Sequence, residues 1–210
     1  HPERAWCADG TLRLVYAGAL TPTYEVDVIV EALARLRTLR SSLAVALDVY
    51  GRGDSEPALR ALAERLGVAD AVVFHGRIPL EAVPAAMAGA DIVIAATRRS
   101  PFTDASLSTK LFEYAAMGKP VVATDLPTVA RYFPVGTAAR YAAGDPDAMA
   151  AAILALVDDP VGRAARVTAT AARVAELAWD RQAAVYLDLV ERLALDGRAG
   201  RAARRGRGRR

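Results

Sequence analysis

Cysteine is almost missing from this sequence: among 210 residues only Cys7 carries a thiol. One thiol can build neither a disulfide framework nor a cysteine-rich metal site within the chain, and such a composition fits a reducing compartment. Histidine is as scarce, with only His1 and His75, so His75 reads as a surface residue at a strand end. No run of eighteen uncharged apolar residues occurs, and His1-Pro2-Glu3-Arg4 lacks a positive region leading into an apolar stretch. Neither a membrane span nor a signal peptide is therefore expected. A chain that opens on His1 instead of an initiator methionine is expected to be a fragment, whose upstream part could carry targeting signals. Also missing is the three-glycine pyrophosphate turn. The segment after the first predicted strand, Gly18-Ala19-Leu20-Thr21-Pro22, holds one glycine, which disfavours a dinucleotide-binding dehydrogenase.

The formal charge of +3 belongs to the end of the chain. Residues Gly197 to Arg210 hold seven arginines and no acid, which leaves 20 basic against 24 acidic residues in the body. This Gly/Ala/Arg tail, 197–210, has too little apolar surface to fold and is expected to be disordered, with at most weak contacts to nucleic acid or an anionic membrane surface. The expected location is cytoplasmic, with the tail able to bring the chain to the inner membrane face.

With 53% hydrophobic residues, the chain can bury a substantial core, in one domain or two. Short apolar runs alternate with longer segments at helical period. That pattern predicts an α/β, Rossmann-like parallel sheet of about six strands with helices on both faces. The predicted strands are Leu12 to Ala17, Leu43 to Tyr50, Ala71 to Phe74, Asp91 to Ala95, Pro120 to Ala123 and Ala138 to Ala142. Val26, Ile29, Val30, Leu33 and Leu36 mark the first helix; Ser55 to Leu66 is a second, stopped by Gly67. Leu80 to Ala88 is a short one, whose Pro84 suits only an early turn. After Asp145-Pro146 the strands give way to a C-terminal helical region, at about 146–158, 160–177 and 180–195.

Ligands of open α/β sheets bind at the carboxyl ends of strands, where strand order reverses. The turn Tyr50-Gly51-Arg52-Gly53-Asp54 reads as a strand-to-helix connection that could also approach a ligand. The polar segment Thr97 to Leu107 reads as a long loop, and loops of that kind are often functional. It carries Arg98, Arg99, Pro101 and Asp104. The stretch after it is more specific. Ser108 can cap a helix, leaving the amides of Thr109, Lys110 and Leu111 to an anion at the positive end of the helix dipole. Lys110 opposes that dipole unless a negative partner, such as a phosphate, is bound. Glu113 follows one turn on, within reach of a ribose attached to that phosphate. A plain cap and a solvated Glu113 are equally compatible with the helix taken alone. Gly118, Lys119 and Pro120 have a structural reading: a left-handed stop, a dipole partner and a strand opener.

The run Lys110-Leu-Phe-Glu113-Tyr-Ala-Ala-Met-Gly118-Lys-Pro120-Val-Val-Ala-Thr124 resembles the signature of family 4 glycosyltransferases, retaining enzymes of GT-B fold that use nucleotide sugars. Leu14 to Gly18, Val49 to Gly53, Val73 to Arg77 and Ala90 to Val93 resemble the family's other landmarks, in order, over about residues 12–195. The resemblance implies half of a GT-B fold. Residues 1–10 would be a linker from a missing N-terminal, acceptor-binding domain, and 11–196 the donor-binding domain, with the helix containing Trp179 returning toward the missing half. It implies a nucleoside diphosphate sugar as donor substrate, no cofactor and no required metal. The implied donor-binding residues are Gly18, Arg77, Ile78, Asp104, Ser106, Leu107, Ser108, Thr109, Lys110 and Glu113, with Glu113 on the ribose and the base near Arg77 and Ile78.

The sequence also departs from the family. Ala105 stands where the first of two spaced glutamates is usual, with Asp104 adjacent, and Ser106-Leu107-Ser108 replaces a Gly-Phe-Gly stretch. Ala19 and Tyr24 stand where the family often has the arginine and lysine that hold the diphosphate. Anchoring is then expected from Lys110, Arg98, Arg99, Arg52 or the helix dipole, and no catalytic acid or base is assigned. The leading expectation is the donor half of a glycosyltransferase. The alternatives are a non-catalytic nucleotide- or protein-binding module derived from such an enzyme, and another doubly wound nucleotide-binding enzyme.

Overall fold

The structure, a computed structural model, describes residues 5–207, with the backbone alone for 195–207. Six strands, β1 (Thr11–Ala17), β2 (Ala44–Tyr50), β3 (Val72–Gly76), β4 (Ile92–Ala95), β5 (Val121–Thr124) and β6 (Ala139–Tyr141), form one parallel sheet in the order β3-β2-β1-β4-β5-β6. Between and after them, among the described residues, come nine α-helices: α1 (Val26–Leu39), α2 (Glu56–Arg65), α3 (Val83–Ala88), α4 (Pro101–Ala105), α5 (Lys110–Ala116), α6 (Pro127–Tyr132), α7 (Pro146–Asp158), α8 (Pro160–Glu176) and α9 (Trp179–Arg207). This is the expected α/β class, and all six strands lie where alternation of apolar runs placed them. The strand order reverses between β1 and β4.

The strands are apolar on both sides because both faces are covered. Leu12, Leu14 and Tyr16 of β1, Leu47 and Val49 of β2 and Ile92 and Ile94 of β4 share a core with Ile29, Leu33 and Leu36 of α1 and Met149, Ile153 and Leu156 of α7. The alternate residues Val15, Val93, Val121 and Ala123 are buried on the other face, where α5 packs on β4 and β5 through Leu111 and Tyr114. Each buried Leu, Ile or Val side chain contributes roughly 1.5–3 kcal/mol. The stops also agree: Gly67 and Gly118 adopt φ of +67° and +65°, the left-handed conformation that ends a helix.

Several local expectations need correction. The segment Thr97 to Leu107 is not all loop but contains α4, started by a capping box in which Ser100 and Thr103 bond each other's backbone amides, with Pro101 in the first turn. Five residues are too few to show a period. Lys119 does not serve its own helix. It is buried, and its Nζ donates to the Ala88 carbonyl at the end of α3, 2.9 Å away. The backbone of 197–207 is helical, as the end of α9, where a disordered tail is expected; alanine and arginine are strong helix formers. Residues 1–4 and 208–210, the ends of the expected linker and tail, lie outside the described residues. Within the linker stretch, Trp6 and Cys7 pack half-buried against the core, and the Arg163 guanidinium lies 3.5 Å from the centre of the Trp6 ring.

The chain divides into two compact units, one ending at Ala172 and one running from Arg173. In the second, the rings of Trp179 and Tyr186, two turns apart on α9, lie 6.1 Å from each other. Among the described residues, no helix is long and apolar enough to cross a membrane.

Candidate functional site

The reversal of strand order brings the end of β1, the loop after β4 and the start of α5 together. A buried tyrosine fixes their spacing: the Tyr114 hydroxyl donates to the Ala17 carbonyl and accepts from the Ala17 amide, both at 3.1 Å. Burial pushes its pKa up, so the hydroxyl stays neutral and can both give and take. One turn earlier, Lys110 crosses directly over Gly18. A Cβ on Gly18 would lie 2.4 Å from Lys110 Cε and 2.7 Å from Tyr16 Oη, so the glycine makes room for the lysine stem. The ammonium then sits 3.8 Å from the centre of the Tyr24 ring, a cation–π contact of roughly 0.5–2 kcal/mol.

Two cavities flank this crossing. The larger, about 520 Å³, is lined by Gly18, Tyr50, Arg52, Arg77, Ile78 and Glu113. The smaller, about 290 Å³, is lined by Ser106, Leu107 and Ser108 together with Thr97, Thr124 and Phe102. Thr109 and Lys110 line both. Nine of the ten residues expected to bind a donor thus gather at one crevice. The tenth, Asp104, lines neither cavity; its carboxylate pairs with Arg99 Nε at 3.2 Å. The α4 turn brings those two together, which removes Arg99 as well from the free cations. Arg98 is also engaged, holding Asp27 through both carboxylate oxygens at 2.7 and 2.8 Å and the Pro22 carbonyl at 3.0 Å. Of the proposed phosphate anchors, Lys110 and Arg52 face the cavities.

Ser108 does not cap α5. Its carbonyl accepts the Leu111 amide at 3.3 Å, and the cap position falls on Thr109, whose side chain makes no capping bond. Among the described residues, the amides of Thr109 and Lys110 find no protein acceptor. They stand at the junction of the two cavities, beside the lysine.

In the sequence Tyr24 stands out only as a departure, Thr97 and Thr124 only as the ends of longer segments, and Glu25 and Tyr141 not at all; these residues line or underlie the smaller cavity. A hydroxyl ending the apolar run Val121-Val122-Ala123-Thr124 was the one available signal. Aromatic–cation and buried hydroxyl contacts join residues distant in the chain and leave no spacing to read.

The same fold occurs in solved glycosyltransferase structures. HepE from Anabaena, crystallised with UDP and glucose, superposes with a TM-score of 0.71 at 20% identity, covering 88% of this chain and 48% of that one. Sucrose-phosphate synthase from Thermosynechococcus elongatus gives 0.71 at 19% identity, over 89% and 46%. At such identity the likeness is one of fold. The chain itself belongs to the group 1 glycosyl transferases, whose family model matches residues 11–159. It is 30% identical over 182 residues to a D-inositol 3-phosphate glycosyltransferase of Pseudarthrobacter chlorophenolicus, covering 85% of this chain and 42% of the relative. A phosphatidyl-myo-inositol mannosyltransferase of Mycobacterium leprae is 33% identical over 154 residues, 73% of this chain and 39% of the relative. The chain spans less than half the length of these relatives.

Proposed function

We propose that these 210 residues hold the donor of a glycosyl transfer, a nucleoside diphosphate sugar laid across the strand ends. The observation that carries this reading is the shared lining of the two cavities by Thr109 and Lys110. A nucleoside in the larger cavity, with its ribose on Glu113 and its base beside Arg77 and Ile78, would pass its diphosphate over the free amides and the ammonium. The sugar would then reach the hydroxyl-lined smaller cavity. Departure of the nucleoside diphosphate develops negative charge, and positive groups fixed in advance at that point stabilise it. Lys110, Arg52 and the amides would supply that charge, so the donor needs no metal. Retention of configuration and an acceptor-binding half outside these residues are carried by the resemblance to family 4.

The direct test is calorimetric titration of the chain with UDP, GDP and ADP. Saturable binding of at least one supports the reading, and binding of none overturns it. Lys110→Ala should weaken UDP more than UMP, because the ammonium faces the second phosphate; equal losses for the two would remove it from the diphosphate site. The variant should keep its melting temperature within a few degrees, since the losses are the half-buried contact with the Tyr24 ring and the packing of the stem over Gly18.

A further inference from the structure

Under the smaller cavity runs a buried hydrogen-bond chain that the donor contacts do not use. Glu25, just before α1, is 1% exposed, Thr124 1% and Tyr141 2%. Tyr141 Oη donates to Glu25 Oε2 at 2.9 Å, Thr124 Oγ1 lies 2.7 Å from Tyr141 Oη, and the Thr97 amide donates to Thr124 Oγ1 at 2.9 Å. An ionised carboxylate only accepts. With Glu25 charged the chain therefore has one direction, from the Thr97 amide through Thr124 and Tyr141 to the carboxylate. It ties the start of α1, the ends of β5 and β6, and the loop after β4 to one another. Thr97 and Thr124 are walls of the smaller cavity, and so is Tyr24, the neighbour of Glu25 and the residue that supports Lys110. A buried carboxylate is unfavourable for folding, and an apolar side chain would serve packing better.

We propose that Glu25 is a positioning residue of the donor pocket, holding the Thr97 loop and orienting the Thr124 hydroxyl through Tyr141. The proposal rests on the donor-binding reading. A proton on Glu25 reverses the chain. The carboxyl donates to Tyr141, and Tyr141 donates to Thr124. Thr124 Oγ1 then accepts from both neighbours, and its own proton turns out of the chain toward the cavity. The wall changes from acceptor to donor. Burial raises the pKa of Glu25, and Asp27 on α1 adds to the rise; the Gly144 amide, Tyr141 and Arg98 oppose it. Arg98 and Asp27 are paired with each other, so their fields largely cancel at Glu25.

The test uses the whole chain at pH 5 to 8, with UDP-glucose as ligand, because only the sugar reaches the smaller cavity, and UDP for comparison. A carboxyl whose folded pKa is raised leaves the fold progressively less stable as pH climbs from the unfolded value through the folded one. Glu25→Gln has no such proton, so its melting temperature relative to the parent should rise with pH. The parent-to-Gln ratio of UDP-glucose affinities should fall as pH is lowered, while any titration of the ligand itself cancels in that ratio. Thr124→Val should weaken UDP-glucose binding roughly three- to tenfold, the worth of one hydrogen bond, with UDP binding nearly unchanged, and Thr124→Ser should restore it. A melting difference that does not vary with pH, or an affinity ratio that stays constant, overturns the proposal. So does parent-like binding by Thr124→Val. If the parent binds neither UDP-glucose nor UDP while the melting difference still widens, the donor reading itself has failed and the positioning role falls with it.

Discussion

Glu113→Gln is expected to lower nucleotide affinity tenfold to 150-fold while moving the melting temperature hardly at all. Glu113 is exposed on α5 and faces the larger cavity beside Gly18 and Arg77, one turn beyond the Thr109 and Lys110 amides. A carboxylate there would accept from both ribose hydroxyls, and hydrogen bonds to charged groups contribute roughly 1.5–3 kcal/mol, which sets the affinity range. The folded chain loses little. Glutamine keeps the shape and much the same helix propensity, and the charge–dipole contribution of a first-turn acid is only about 0.3–1 kcal/mol. Calorimetry with UDP and GDP, alongside thermal melting, reads both quantities. Parent-like affinity would take Glu113 out of the ribose site; a matching fall in melting temperature would make it a structural residue of α5.

The sheet was legible because burial on both faces writes itself as unbroken apolar runs. Val121-Val122-Ala123 has no alternation to misread, and Gly67 and Gly118 mark helix ends by a conformation few other residues adopt. Nine of the expected donor residues converge because they sit just beyond strand ends, and a parallel sheet gathers all such ends at one edge. Charge pairing was not legible. Arg98 and Arg99 look alike in sequence, yet one closes on Asp27, 71 residues away, and the other on Asp104 in the next helix. Short helices escaped for a different reason: α4 and α6, at five and six residues, are held by a proline in the first turn and by packing, not by periodicity. The buried chain from Glu25 to Thr97 joins segments up to 116 residues apart, and only the folded topology brings them together.

Gly51→Ala is expected to be the most destabilising single substitution at this crevice, although Gly51, which lines the larger cavity, has no side chain to offer a ligand. Its φ is +140° and an added Cβ would stand 1.8 Å from the Gly18 carbonyl oxygen and 2.9 Å from the carbon. Neither neighbour can give way. The Gly51 amide donates to the Gly76 carbonyl at 2.8 Å and the Gly18 amide to the Tyr50 carbonyl at 2.8 Å, so three strand ends are laced by backbone bonds at one level. Relief of the clash must break at least one of them and also strain an alanine at positive φ, for a loss of about 3 kcal/mol or more. In a chain of this size that lowers the melting temperature by roughly 6–12 °C. Gly67→Ala is the matched control, since φ there is +67° but nothing lies within 4 Å of the added methyl; it should lose only about 1–2 kcal/mol. Equal melting temperatures for the two variants would mean that the Gly18–Gly51 contact is not rigid. A Gly51→Ala chain that still folds should bind UDP more weakly than Gly67→Ala, because displacement of the Gly18 carbonyl moves the floor on which Lys110 rests.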